Sequence, residues 1–345
     1  MAKKRFALIG AGVFGEMHAR AYSNHYTNHP EAELAVVCDI NQERAKAIAS
    51  TYQVGRFCTD WREIVLDPGI DAASVATPDH LHTEIAVALA RAGKHLLVEK
   101  PMATAVADCE AMIEAAKEAG VKLMVDFHNR WNPPYHEAHR LLRSGELGSP
   151  RFISLRLSDT RYVPFEMIGW ADRSSVLWFL GSHAVDMACW LIGEWPRRVY
   201  SVSRRSVLKQ KGVDTPDFFQ STLEYPGGAV ASIENSWLLP TSAPNIYDMK
   251  CQIQGSEGTI FIDNSSHRVL EIQGPARYSY GDVMGAPLIH GKQRGFMVES
   301  ILHFAECVIH DRAPLVPGEV GLEVTRVLCA IEESVETGQP VEIPR

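Results

Sequence analysis

The chain has 345 residues, 46% of them hydrophobic and 22% charged, a globular composition too long for one ordinary core, so two domains are expected. A formal net charge of −8 argues against the basic face that a nucleic-acid surface needs, and no apolar run reaches the length of a membrane span. Seven scattered cysteines with no CxxC pair suit reduced thiols in a cytoplasm, and the start MAKKRFALIG turns to glycine before a signal-peptide core forms.

Phe6 to Ile9 read as a strand and Val13 to Tyr22 as a helix, with Gly10-Ala11-Gly12-Val13-Phe14-Gly15 between them. A GxGxxG in that context has a mechanism. The first glycine makes the turn, the second lets a pyrophosphate reach the backbone, and the third lets helix and strand pack closely. The helix N-terminus then offers free N–H groups to phosphates. A second strand, Leu34 to Cys38, ends in Asp39, 24 residues after Gly15. A carboxylate there accepts from a ribose 2′-hydroxyl and repels a 2′-phosphate. Ile40 and Asn41 add no basic residue, although Arg44 lies one turn on, so NAD is expected in preference to NADP. The plainer alternative is that Asp39 only caps a helix from Glu43 to Ser50.

The alternation continues with a short strand, Arg56 to Cys58, and Asp60 as cap of a helix from Trp61 to Leu66. Ile70 to Ala76 read as a strand ending in Thr77-Pro78-Asp79, then a helix from His80 to Ala92 closed by Gly93. His80 and His82 point in different directions on a helix and no cysteine or carboxylate completes a site, so no metal is expected. His82 is read as lining the nicotinamide cleft or as helix surface. In GKHLLVEKP, Gly93 to Pro101, a buried strand from His95 to Val98 is stopped by the proline. Glu99 and Lys100 are left at the carboxyl edge, where open α/β sheets bind ligands, and a desolvated lysine there can give up its proton. A solvated turn pair is the plain alternative. A helix from Ala105 to Ala119, closed by Gly120, and a strand from Lys122 to Phe127 complete a doubly wound parallel sheet over residues 1–127.

Residues 128–345 change pattern. After Arg130-Trp131-Asn132-Pro133-Pro134 and a helix ending near Gly145, strands are read at Arg151 to Ser158, Arg198 to Ser206, Phe218 to Tyr225 and Ala229 to Trp237. Met249 to Gly255, Thr259 to Asp263 and Val269 to Gln273 follow. Hairpins at Pro226-Gly227-Gly228 and at Gly255 to Gly258 make the sheet largely antiparallel, with one face on helices and a free face suited to a subunit interface. A helix from Ser182 to Leu191, with Ser182 as N-cap, places His183 and Asp186 on one face. A histidine oriented by a carboxylate suits a general base; a histidine merely paired to its own helix is the bland alternative.

The segments GAGVFG, TPDHLH, AGKHLLVEKP, FHNRWNP, GSHAVDMACWL and GQPVEI together resemble the glucose-fructose oxidoreductase/inositol dehydrogenase (Gfo/Idh/MocA) family over nearly the whole chain. The resemblance implies an NAD(P)-binding Rossmann domain followed by an α+β domain with an open, largely antiparallel sheet. A C-terminal segment packing back on the first domain is expected, as is a homodimer or homotetramer through the open sheet. It implies hydride transfer between a nicotinamide and a secondary alcohol of a sugar or cyclic polyol. Lys100 then hydrogen-bonds the reacting hydroxyl, His183 is the histidine of the catalytic helix, and the Lys100–Pro101 bond is cis. The cofactor would meet Gly10, Gly12, Val13, Phe14, Gly15, Asp39, Ile40, Thr77, Pro78, His82, Glu99 and Lys100. The substrate would meet Lys100, His128, Arg130, Trp170, Phe179 and His183.

One position departs from the family. Many members carry an aspartate four residues before that histidine, where this chain has Phe179, which can stack on a sugar but cannot relay a proton. Asp159 and Asp172 lie in the segment before the helix, and Arg161, Tyr162, Trp170 and Arg173 in it either shape the pocket or form a surface loop. Two rivals share the fold: an NAD-dependent glycosidase that oxidises its sugar transiently, and a non-catalytic dinucleotide sensor. Retention of both Lys100 and His183 favours an enzyme.

Overall fold

Strands that are apolar on both faces have to be covered on both, and the first part of the chain is built that way. The computed structural model describes residues 3–23, 30–265, 270–273 and 278–344. In it β1 (Lys4–Ile9), β2 (Ala32–Cys38), β3 (Phe57–Cys58), β4 (Ala72–Val75), β5 (His95–Val98) and β6 (Leu123–Val125) form one sheet. The order is β3-β2-β1-β4-β5-β6 and every pairing is parallel. Between them run α1 (Val13–Tyr22), α2 (Gln42–Thr51), α3 (Arg62–Val65), α4 (His82–Arg91) and α5 (Val106–Ala119). The expected helix from His80 opens instead as a 3₁₀ turn, Asp79–Leu81, before α4 begins. Strand order reverses between β1 and β4, which makes their carboxyl ends the topological switch point where such sheets take ligands.

The next stretch holds α6 (Pro133–Arg143), β7 (Pro150–Thr160), α7 (Ser182–Ile192), β8 (Arg198–Arg204), α8 (Val207–Gln210), β9 (Phe218–Glu224) and β10 (Val230–Leu239). It continues through β11 (Tyr247–Gly255), β12 (Thr259–Asp263), β13 (Glu271–Gln273) and β14 (Tyr278–Tyr280). The start of the expected strand at Val269 lies outside the described residues. A small hairpin, β15 (Leu288–Ile289) with β16 (Lys292–Gln293), precedes α9 (Phe296–Ile309), α10 (Gly318–Thr337) and β17 (Val341–Glu342). The second sheet runs β12-β11-β7-β10-β9-β8-β17, antiparallel throughout except where β7 and β10 lie parallel. Along β10 buried and part-exposed residues alternate, so one face is covered and the other is open. The open face carries Arg156, Gln220, Glu234 and Lys250, with Phe261 left 75% exposed at its edge.

The chain divides into two compact units, Met1–Asn132 with Met284–Leu322, and Pro133–Val283 with Glu323–Arg345. Both units are therefore discontinuous. Phe304 of α9 meets Phe6 of β1 edge to face at 6.2 Å, and Phe296 meets His128 at 5.7 Å. The Val125 N–H donates to the Val316 carbonyl, so the far edge of the parallel sheet gains a backbone partner from the returning segment.

Two glycines hold the crossing of β1, β4 and α1. Gly10 has φ +98°, and a Cβ there would lie 2.3 Å from the Ala76 carbonyl oxygen; a Cβ on Gly15 would lie 1.9 Å from the Gly10 oxygen. Both obstacles are backbone, which cannot turn aside as a side chain can. Gly15→Ala is expected to lower unfolding free energy by about 1–3 kcal/mol, the ordinary cost of overpacking, read by denaturant titration.

Candidate active site

The loop after β1 is closed on one side and open on the other. Gly10 N–H donates to the Cys38 carbonyl, which ties the loop to the end of β2. Gly12 precedes α1 with no side chain capping the helix, and a Cβ there would meet nothing within 4 Å. The first N–H groups of α1 thus face open space, and Val13 stands 57% exposed beside them. Asp39 is oriented from three sides. Its Oδ2 accepts from Ala11 N–H at 2.8 Å, its Oδ1 accepts from Asn41 N–H at 2.8 Å, and Arg44 Nη2 lies 3.3 Å from Oδ1. Asp39 is not the cap of α2: Asn41 is, its Oδ1 accepting the Arg44 N–H. Ile40 lies 91% exposed next to this carboxylate. Across the switch point Thr77 follows β4, its Oγ1 buried with no hydrogen-bond partner among the described residues, and Pro78 follows it. An open cradle of helix N–H groups, a fixed carboxylate and an orphaned hydroxyl fit a dinucleotide.

At the end of β5, Glu99 and Lys100 are each only 6% exposed, so the pair is not a solvated turn. The Lys100 ammonium nitrogen lies 5.2 Å from the centre of the Phe14 ring, which brings the amine to the glycine loop. The Lys100–Pro101 bond is cis. His82 is not helix surface. Its Nδ1 faces the Pro101 carbonyl at 3.0 Å and its Nε2 the Thr77 carbonyl at 2.8 Å, so the ring braces the turns that follow β4 and β5.

Behind Lys100 lies a cluster that sequence reasoning passed over. His18 of α1 bonds Ser74 through Nδ1 and Glu99 Oε1 through Nε2, both at 3.0 Å, and Asp126 Oδ2 lies 3.9 Å from Nε2. Tyr22 hydroxyl bonds Ser74 at 3.0 Å. Burial works against the Glu99 carboxylate, yet the His18 hydrogen bond and the His18 and Lys100 charges hold it below its ordinary range. Asp126 goes the other way: burial, with the Glu99 charge added, pushes its carboxyl up to about 7. His128, in the 3₁₀ turn His128–Trp131 with the half-buried Arg130, is pushed down to about 4, chiefly by burial. The signal for His18 and Tyr22 was their spacing of four on one helix face, and for Asp126 an acid ending an apolar strand, as Glu99 does.

In the second unit a widened π-helical turn, Leu177–Gly181, runs straight into α7. Ser182 is therefore not an N-cap: the backbone is already helical at Gly181, and Ser182 Oγ is buried with no partner among the described residues. His183 is 5% exposed and Asp186 fully buried. Phe179 sits among aromatics, its ring centre 6.4 Å from Trp170 and 5.9 Å from Trp237. Asp159 is buried on β7 opposite Tyr247, and Asp172 is exposed beside Arg173. The structure gathers Gly10, Gly12, Val13, Phe14, Gly15, Asp39, Ile40, Thr77, Pro78, His82, Glu99, Lys100, His128 and Arg130 in the first unit, and Trp170, Phe179 and His183 in the second.

Comparison with known proteins decides the family. Residues 4–127 match the GFO/IDH/MocA oxidoreductase family model described as an NAD-binding Rossmann fold, and residues 135–261 match the GFO/IDH/MocA C-terminal domain. The chain belongs to the GFO/IDH/MocA family. It is an NAD-binding oxidoreductase. It is 29% identical over 345 residues to scyllo-inositol 2-dehydrogenase (NAD(+)) of Bacillus subtilis, covering 98% of this chain and 96% of that one. It is 30% identical over 303 residues to levoglucosan dehydrogenase of Pseudarthrobacter phenanthrenivorans, covering 79% and 76%. Among solved structures, aldose-aldose oxidoreductase from Caulobacter crescentus superposes with a TM-score of 0.80 at 27% identity, covering 99% of each chain.

The shift of His128 makes a stability prediction with a definite sign. Its folded value lies below the unfolded one, so the unfolded chain gains the proton first and stability drains as pH falls from 6.5 to about 4. The raised Asp126 gives the opposite slope over much of that window, so the difference between variants is the quantity to read. His128→Gln should narrow its stability gap to the parent by up to about 3 kcal/mol over that interval, measured by urea unfolding at each pH.

Proposed function

We propose that this protein is an NAD-dependent dehydrogenase that oxidises a secondary alcohol of an inositol, a sugar or a related cyclic polyol. The observation that carries the reading is the buried Lys100 at the carboxyl end of β5, its amine over Phe14 of the glycine loop. A buried amine beside a dinucleotide cradle has chemistry to do there, since solvation gives it no reason to be there. The inositol and levoglucosan dehydrogenases among its relatives support the substrate class. Asp39 supports NAD over NADP, because a carboxylate attracts a ribose hydroxyl and repels a phosphate.

The bound nicotinamide supplies the acceptor for the hydride that leaves the alcohol carbon. The hydroxyl must lose its proton as its carbon becomes a carbonyl. His183 accepts that proton, and Lys100 stabilises the developing alkoxide by a charge-assisted hydrogen bond. The neutral amine of Lys100 is the other acceptor open to the reaction. Glu99, fixed by His18, holds the Lys100 backbone N–H at 3.2 Å and so steadies the turn from which the amine projects. Phe179, in place of an aspartate, leaves proton transfer to these two groups and adds an aromatic surface. The free cysteines suit a reducing cytoplasm.

The decisive assay follows nicotinamide absorbance over inositols, aldoses, sugar acids and glycosides with NAD and NADP. NADH formation with a cyclic polyol is the expected result, and Lys100→Ala should lose ~10² or more in turnover while NAD affinity holds. Unchanged turnover in that variant removes the role given to Lys100. Product formed from glycosides with no net NADH would identify the glycosidase, and tight NAD binding with no turnover the sensor. The open sheet face is assigned to pairing with another copy; light scattering should report a dimer or tetramer, and Phe261→Asp should shift it toward monomer.

A further inference from the structure

The cluster behind Lys100 does more than fill space. Three ionisable side chains, His18, Glu99 and Asp126, are buried at 0%, 6% and 1% exposure, and their polar atoms lie within 4.8 Å of one another. Nε2 of His18 stands between the two carboxyl groups, bonded to Glu99 at 3.0 Å and 3.9 Å from Asp126. Both carboxyl groups are out of water, and burial together with their mutual repulsion disfavours the state in which both are ionised.

We propose that Asp126 is a positioning residue for Lys100: with His18 and Glu99 it forms one buried proton-sharing unit, and the charge of that unit sets the pH at which Lys100 works. This rests on the dehydrogenase reading for its kinetic arm alone. The geometry decides which acid keeps the proton. Glu99 has a donor on each oxygen, His18 on Oε1 and the Lys100 N–H on Oε2, whereas the Asp126 carboxyl has Ser300 but its Oδ1 has no hydrogen-bond partner among the described residues. The oxygens with more donors carry the charge and Asp126 carries the proton, the direction in which its carboxyl is shifted.

The groups facing Asp126 come from every element packed on it. Glu99 and Lys100 reach it from the end of β5, His18 and Tyr22 from α1, Ser300 from α9, and His128 shares the same surroundings from the turn after β6. Asp126 is itself fixed, its N–H donating to the Val98 carbonyl, one residue before Glu99. When Asp126 ionises, a second negative charge appears next to Glu99 and favours the ammonium form of Lys100. The lysine in turn favours ionised Asp126, and the coupling is reciprocal. The unit therefore delays the loss of the Lys100 proton as pH rises, whichever partner in the reaction accepts it.

Two measurements test this. Infrared spectra of the substrate-free protein should show a protonated carboxyl band that fades as pH passes neutrality and is absent from Asp126→Asn. With the polyol substrate, the limb of the kcat/KM profile governed by Lys100 should move to lower pH by about one unit or more in Asp126→Asn, since the variant removes a negative charge that interacts with Lys100. NAD affinity should hold. Ser300→Ala removes a hydrogen bond that favours ionised Asp126, so the carboxyl band should persist to higher pH, and this variant decides the matter if Asp126→Asn fails to fold. No titrating carboxyl band, or pH profiles that superimpose, overturns the proposal. The infrared result stands even if no polyol is turned over, which separates its failure from failure of the dehydrogenase reading.

Discussion

A carboxylate taken out of water has to be answered within a few ångströms or give up its charge, and Glu99 is the place where this protein meets that demand. His18 answers one oxygen and the backbone N–H of Lys100 the other. To deliver that imidazole, α1 has to lie close over the sheet, which Gly15 permits by carrying no side chain against Gly10. To hold the imidazole in turn, β4 supplies Ser74, itself shared with Tyr22 one turn along the same helix. One buried charge thus links α1, β4 and β5, and the same helix that starts uncapped at the glycine loop anchors the lysine turn from its middle. Burying ion pairs is poor value for stability, so the arrangement makes sense as orientation.

The two units show different chemistry. The first gathers a polar cradle, an oriented acid and a buried amine around the carboxyl edge of a parallel sheet, as an NAD-binding Rossmann fold does. The second offers a histidine on a helix that begins in a widened turn, with Phe179 and two tryptophans close by. Widened turns of this kind recur at functional sites because they shift the side chains around them out of helical register.

Much of this was legible in the residues. Alternating apolar runs and glycine-closed helices placed all six parallel strands, because strands buried on both faces are nearly pure apolar segments. The glycine loop, the end of β2 before Asp39 and the turn that stops β5 were legible as backbone features because each follows a local backbone rule. What stayed hidden depends on distance along the chain. His18 and Asp126 are more than a hundred residues apart, and nothing in either neighbourhood announces the other. Ser182 looked like a cap because a serine before a helical run usually is one; the turn preceding it is apolar and helical, so no end existed to cap. His82 looked like surface or ligand, and only the folded turns bring two carbonyls to its ring.

The split of the first unit has a bearing on how the protein is made. A ribosome releases residues 1–132 well before α9 exists, and about 150 residues of the second unit are translated in the interval. At roughly 5–20 residues per second that is on the order of ten to thirty seconds. Throughout it, Phe6 lacks Phe304 and β6 lacks the backbone of Val316, so an apolar patch and an unpaired sheet edge stay bare on the nascent chain. The NAD-binding unit, though begun earlier in synthesis, is completed only after residues 133–283 of the other unit have been made.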